Sequence, residues 1–186
     1  MGKKEEIKKE DVIQAVVVAD SFSTNFHPIT QTTPSCLLPL AGKPLIEYTF
    51  QCLSVSKVQD VILYMTSNSA KVKNWLSGSV WSPSSPATPF SVTCITNEEC
   101  RSFGDAMRDL DEKGLLRNDF LLVTGDLVSN LNLSTFLDKH KENTGADKRC
   151  IMTGVYLPAA QGHPLRCMGK EPLIATNKKS SQILFY

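Results

Sequence analysis

Five consecutive small or branched apolar residues, Ala15-Val16-Val17-Val18-Ala19, constrain this chain more than any other stretch. The run is too short to span a membrane, and it is unbroken by polar residues, so it reads as a strand buried on both faces. Such a strand belongs at the centre of a parallel sheet. In open sheets of that kind ligands lie just beyond the carboxyl ends of the strands, which makes residues 20–35 the place where a nucleotide is expected. That stretch, DSFSTNFHPITQTTPS, has the length and prolines of a nucleotide loop but no glycine, lysine or arginine.

The rest of the chain alternates between two periodicities. Residues 44–55 repeat Leu45, Tyr48, Thr49, Cys52 and Leu53 at helical steps, with Pro44 at a first-turn position. Residues 58–65 form a second buried strand, and Ser67 or Asn68 can cap a helix whose Val72, Trp75 and Leu76 face inward. The segment 78–89 holds three prolines and four serines, which forbid a regular element and mark a surface connection. Strand 91–96, helix 104–113 closed by Gly114 (Met107 and Leu110 inward) and apolar strand 120–124 ending in Gly125-Asp126 follow. Asn132 caps a helix with Leu133, Phe136, Leu137 and His140 on one stripe, which also accounts for the sequon-like Asn132-Leu133-Ser134. Residues 150–157 make a further strand, and 172–175 and 182–186 flank the polar turn NKKSS. The expected fold is α/β: a three-layer, mostly parallel, Rossmann-like sheet with right-handed crossovers.

Within 186 residues this leaves a charged tail over 1–12 and one domain over 13–186. Because an apolar strand at the end exposes a hydrophobic edge, that domain is expected to be truncated at its C-terminal end. Twenty basic against 19 acidic side chains give a net charge of +1, with no global field for nucleic acid or an anionic membrane. No apolar run approaches the ~20 residues of a membrane span. The six cysteines include no C-x-x-C pair, as expected of reduced thiols in a cytosolic protein.

The order Pro28-Ile29-Thr30, Pro34, Leu37-Leu38-Pro39-Leu40, Gly42 and Pro44-Leu45-Ile46 resembles the signature of sugar-nucleotide pyrophosphorylases. The resemblance implies a nucleotidyltransferase-like fold whose loop after the first strand binds a nucleoside triphosphate through glycines, an arginine and a lysine. On this chain the glycines fall on Asp20, Ser21 and Ser23, the arginine on Asn25 and the lysine on Ser35. Side chains there crowd the backbone approach to phosphate. Asp20 adds repulsion on the order of 4 kcal/mol at ~4 Å with an effective dielectric near 20. Losing one preorganised group that stabilises transition-state charge typically costs about 10²–10³ in turnover, and two cations are missing. The phosphate loop is therefore degenerate: no catalytic residue and no cofactor are expected. Gly125-Asp126 matches the family's Mg²⁺-binding aspartate, so Asp126 is a vestigial metal candidate. The family's second metal carboxylate would lie past Tyr186, and the simpler role for Asp126 is to hold the turn to Asn130.

Further along, Arg101-Ser102-Phe103-Gly104-Asp105, Arg108-Asp109-Leu110-Asp111, Lys113-Gly114-Leu115, Asp119-Phe120-Leu121-Leu122-Val123, Gly125-Asp126, Val128 through Asn132 and His163-Pro164-Leu165-Arg166-Cys167 resemble the epsilon subunits of eukaryotic translation initiation factor 2B. That resemblance implies a scaffold domain of the factor that exchanges GDP for GTP on initiation factor 2. The implied partners are the other subunits of initiation factor 2B, especially gamma, with initiation factor 2 as substrate of the whole complex and no direct nucleic acid or membrane. Exchange chemistry in that family lies mainly in a C-terminal domain. The alternatives are an active sugar-nucleotide pyrophosphorylase with an unusual loop and an unrelated α/β binding module. His27, His140 and His163 are dispersed, and no G-x-S-x-G elbow exists. The charged helix over 105–113 reads as a solvated face with pairs Asp105–Arg108 and Asp109–Lys113.

Overall fold

The computed structural model describes residues 12–20, 22–160, 162–163 and 173–185. The contacts divide the chain into two compact units, 1–150 and 151–186.

The first unit is built on β1 (Gln14–Val18), every residue of which is buried. The short helix α1 (Ile29–Thr32), a 3₁₀ turn (Ser35–Leu37) and the hairpin β2 (Pro39–Leu40) and β3 (Lys43–Pro44) follow. The two-residue hairpin turn needs positive φ at both positions, and Ala41 (49°) and Gly42 (82°) supply it. Helix α2 (Leu45–Val55), β4 (Asp60–Met65), α3 (Ser69–Ser77), β5 (Ser91–Thr96), α4 (Phe103–Glu112), β6 (Phe120–Thr124) and α5 (Leu133–Ala146) complete the unit.

The sheet order is β5-β4-β1-β6, all parallel, with β1 between β4 and β6. Period two sends Ala15, Val17 and Ala19 to one face, where Ile46, Phe50 and Leu53 of α2, Val72 and Leu76 of α3, and Leu133 of α5 cover them. Val16 and Val18 go to the other, with Ile62, Tyr64 and the Ala106 and Leu110 of α4. Helices on both faces give the three layers that the sequence implies. Each large side chain so buried contributes about 1.5–3 kcal/mol of transfer free energy.

Capping follows the sequence in part. The Asn132 side chain accepts the Ser134 N–H at 3.1 Å, as expected. Ser102 caps α4 by accepting the Asp105 N–H at 3.1 Å, while its own hydroxyl donates to Asp105 at 2.9 Å. Asn68 occupies the cap position of α3 but at φ 56°, and its side chain makes no cap bond, because the amide is turned to the Gln31 carbonyl instead. The Asp105–Arg108 and Asp109–Lys113 pairs form as expected on α4, although Asp109 is largely covered rather than solvated.

Two expectations fail. The connection 78–89 is more than a surface loop, since Trp81 is buried and stacks on Phe90 against Phe50. Residues 150–157 form no strand and join none of the three described sheets. An apolar run becomes a strand only where a ladder partner takes its N–H and C=O groups, and Gly154 and Pro158 weaken this one further. In the second unit β7 (Ala175–Thr176) and β8 (Ile183–Phe185) form an antiparallel hairpin around the polar turn, shorter than the sequence suggests. Among the described residues Cys36, Cys52, Cys94 and Cys100 are free thiols. Residues 1–11, Ser21, Pro164 to Cys167, Pro172 and Tyr186 lie outside the described residues.

Candidate functional site

The register of the sheet places three side chains in one row. Val18 pairs with Tyr64 on one side and with Thr124 on the other, so Asp20, Thr66 and Asp126, each two residues on, share the carboxyl edge of β1, β4 and β6. Asp20 turns toward β4. Its Oδ2 accepts the Thr66 hydroxyl at 2.6 Å and its Oδ1 accepts the Phe22 N–H at 2.9 Å. Both carboxylate oxygens are thereby engaged within the fold, and Phe22 is held at a left-handed φ of 51°.

The loop from Phe22 is then fastened at both ends. The Phe22 ring meets the Phe103 ring of α4 edge-on, centroids 5.2 Å apart. At its far end Asn68 Nδ2 donates to Gln31 O at 3.3 Å, and Lys71 Nζ donates to Thr32 O. Between these points Ser23 Oγ accepts the Asn25 N–H at 3.2 Å, and Asn25 is exposed. Lys71 is the cation that α3 brings to this loop, and a backbone carbonyl takes it.

Beneath the row lies a close-packed floor. Gly125 N–H donates to Val18 O at 2.7 Å, and a Cβ on Gly125 would come within 2.9 Å of Cys36 Cβ and 3.2 Å of Ala19 Cα, so only glycine fits. Ser35 is buried in the 3₁₀ turn beside Cys36 rather than lining an open mouth. Burial first, then the Asp126 and Asp20 carboxylates, push the Cys36 thiol up to about 12. The turn after β6 is held by the Leu127 N–H on Thr124 O at 3.2 Å and by the Thr49 hydroxyl on Leu127 O at 2.9 Å. Thr49, not Asp126, carries the role the sequence suggests for that aspartate.

Of the sequence-derived candidates, the structure thus brings Asp20, Cys36-flanking Ser35 and Asp126 to the same edge, with Ser23 and Asn25 in the loop above. Among the described residues no group of three or more His, Cys, Asp or Glu side chains could hold a metal ion. His140 pairs instead with Asp119 at 3.8 Å, away from this edge. Thr66 and Lys71 are residues that sequence reasoning missed, and Asn68 was read only as a helix cap. Of the two missed, only Thr66 had a signal, its place directly after an apolar strand. A shallow groove of about 520 Å³ between α2 and α3, lined by Lys43, Glu47, Trp75 and Val80 among others, includes none of the candidate residues.

Residues 14–162 match the Nucleotidyl transferase family. The chain is similar to the translation initiation factor eIF2B subunit epsilon of Schizosaccharomyces pombe, 40% identical over 179 residues, covering 96% of this chain and 26% of that protein. It is similar to the subunit of the same name in Dictyostelium discoideum, 37% identical and covering 98% of this chain and 25% of that one. The chain therefore spans about a quarter of the length of these relatives. A mannose-1-phosphate guanylyltransferase of Mycobacterium tuberculosis is 28% identical over 81% of this chain and 40% of its own length. In fold, the crystal structure of a UDP-glucose pyrophosphorylase complexed with UDP-glucose superposes with a TM-score of 0.57 at 17% identity, over 72% of this chain and 55% of that one. The parallel β5-β4-β1-β6 sheet and the match over 14–162 lead to one assignment: the chain belongs to the nucleotidyl transferase family.

Proposed function

We propose that this chain is the N-terminal scaffold domain of an epsilon-type subunit of initiation factor 2B, and that its nucleotidyltransferase pocket has ceased to handle triphosphates. It assembles with the other subunits of the factor, gamma in particular, in the cytosol. There it supports GDP/GTP exchange on initiation factor 2 without catalysing it. The similarity to two epsilon subunits over almost the whole chain supports the assignment. One observation carries the loss of nucleotide chemistry. Asp20 stands where the family's loop offers a bare backbone, and its carboxylate spends both oxygens on Thr66 and Phe22, so the loop is locked in place by an anion. The nearest lysine of α3 is bound to Thr32 O, and residues 20–36 contain no arginine or lysine to neutralise a polyanion.

The test is calorimetric titration of GTP, ATP and UDP-glucose with Mg²⁺ into the purified chain, alongside a pyrophosphorolysis assay. The expected result is no heat of binding at micromolar nucleotide and no turnover. Micromolar binding with pyrophosphate-dependent turnover would establish a working pyrophosphorylase instead.

A further inference from the structure

The connection between α3 and β5 contains a repeat that the fold alone does not require. In SVWSPSSPATPF, residues 79–90, a hydroxyl recurs at every third position, Ser79, Ser82, Ser85 and Thr88, and proline follows the last three. The backbone keeps the same period. Ser82 N–H donates to Ser79 O at 3.3 Å, Ser85 N–H to Ser82 O at 2.8 Å and Thr88 N–H to Ser85 O at 3.3 Å. Successive turns result, with Pro83 and Pro86 at second positions, where a fixed φ favours the bend. Both ends are locked in the core. Trp81 stacks on Phe90 at 5.6 Å with an interplanar angle of 5°, and its Nε1 donates to Glu47 at 2.9 Å. Between these anchors Pro83, Ser84, Pro86, Ala87 and Pro89 are exposed, and residues 78–90 carry no charged side chain.

A serine or threonine followed by proline is what proline-directed protein kinases phosphorylate, preferentially with another proline two residues before the hydroxyl. Ser82, Ser85 and Thr88 all precede proline, but only Ser85 and Thr88 have proline two positions earlier. The structure separates the three further. Ser82 is only 7% exposed, and its hydroxyl is shared with Ser84 at 2.9 Å. Thr88 Oγ1 lies 2.9 Å from both Val80 O and Ser82 O, so its proton closes the loop. The Ser85 hydroxyl acts as an acceptor, taking the Ala87 N–H at a long 3.3 Å.

We propose that Ser85 is a phosphorylation site for a proline-directed protein kinase using ATP. Its Oγ attacks the γ-phosphorus, the bond to the bridging oxygen breaks with its electron pair leaving on ADP, and the hydroxyl proton passes to the kinase's base. The product places close to two negative charges and three acceptor oxygens on an otherwise uncharged arm. The experiment incubates the full chain with Mg·ATP and a mitogen-activated protein kinase and maps phosphosites over time by tandem mass spectrometry. Ser85 is expected to fill first, to one phosphate per chain, and Ser85→Ala to lower the initial rate at least about tenfold. The proposal is overturned if Ser85 stays unmodified while a control substrate of the same kinase is fully phosphorylated. Ser82 or Thr88 filling first also overturns it.

Discussion

Strands β4 and β6 both pair in parallel with β1, at the same row of residues, and both are apolar, yet they live in different environments. Val16 faces Ile62 on one side and Leu122 on the other. Ile62 is 2% exposed and Leu63 fully buried, whereas Leu122 is 46% exposed. The difference lies beyond the strands themselves. β4 has β5 on its far side and the side chains of α2, α3 and α4 over its faces, while among the described residues β6 has β1 as its one strand partner. Apolar composition records what a strand can bury; neighbours decide what it does bury.

Truncating the two strands gives the largest contrast. Leu63→Ala removes a fully buried side chain from the close-packed cluster under α2 and should cost about 2–5 kcal/mol. Leu122→Ala, at the half-exposed edge, should cost less than about 1 kcal/mol. Urea denaturation of both variants measures the gap, and equal losses would mean that β6 is as enclosed as β4.

The same asymmetry continues at the carboxyl edge. On the β4 side Asp20 is bonded to Thr66, and on the β6 side the turn rests on Thr49 and Leu127 instead. Thr66→Val strips the Asp20 carboxylate of its hydroxyl donor and should destabilise by about 1–2 kcal/mol, because a half-buried charge loses a partner. Asp126→Ala should be close to neutral. A loss at Asp126 matching that at Thr66 would assign it a structural bond and erase the contrast.

How far these features could be read from the sequence follows the same division. The buried run around Val16–Val18, the stripe of α5 with its Asn132 cap and the i,i+3 and i,i+4 pairs of α4 are local, so periodicity and spacing revealed them. The position of Asp20 and Asp126 at one edge was legible because parallel strands deliver their next residues to the same side. What stayed hidden needed partners distant in the chain. No local signal says that Lys71 reaches back to Thr32, that Asn68 abandons its cap for Gln31, or that Trp81 turns a proline-rich connection into part of the core. The strand expected over 150–157 failed for the same reason, since a ladder needs a second strand.

A last and smaller effect distinguishes how β4 is tied to the helix above it. The Tyr64 hydroxyl donates to Asp109 Oδ2 at 3.1 Å, and Lys113 pairs with the other oxygen. Lys113 foremost, with help from Tyr64, holds the Asp109 carboxyl below its ordinary range, against the burial that would raise it. Burial and the same aspartate push the Tyr64 phenol up, so Tyr64 remains a donor throughout the neutral range. A carboxylate depressed in the folded state stabilises it fully above its unfolded pKa of about 3.9, and that stabilisation disappears as pH falls through the lower folded value. Acidification below about pH 4 should therefore lower the melting temperature of the native chain more steeply than that of Asp109→Asn, which has no proton to take up. If the two melting curves fall in parallel, Asp109 titrates alike in both states, and the link from β4 to α4 is packing alone.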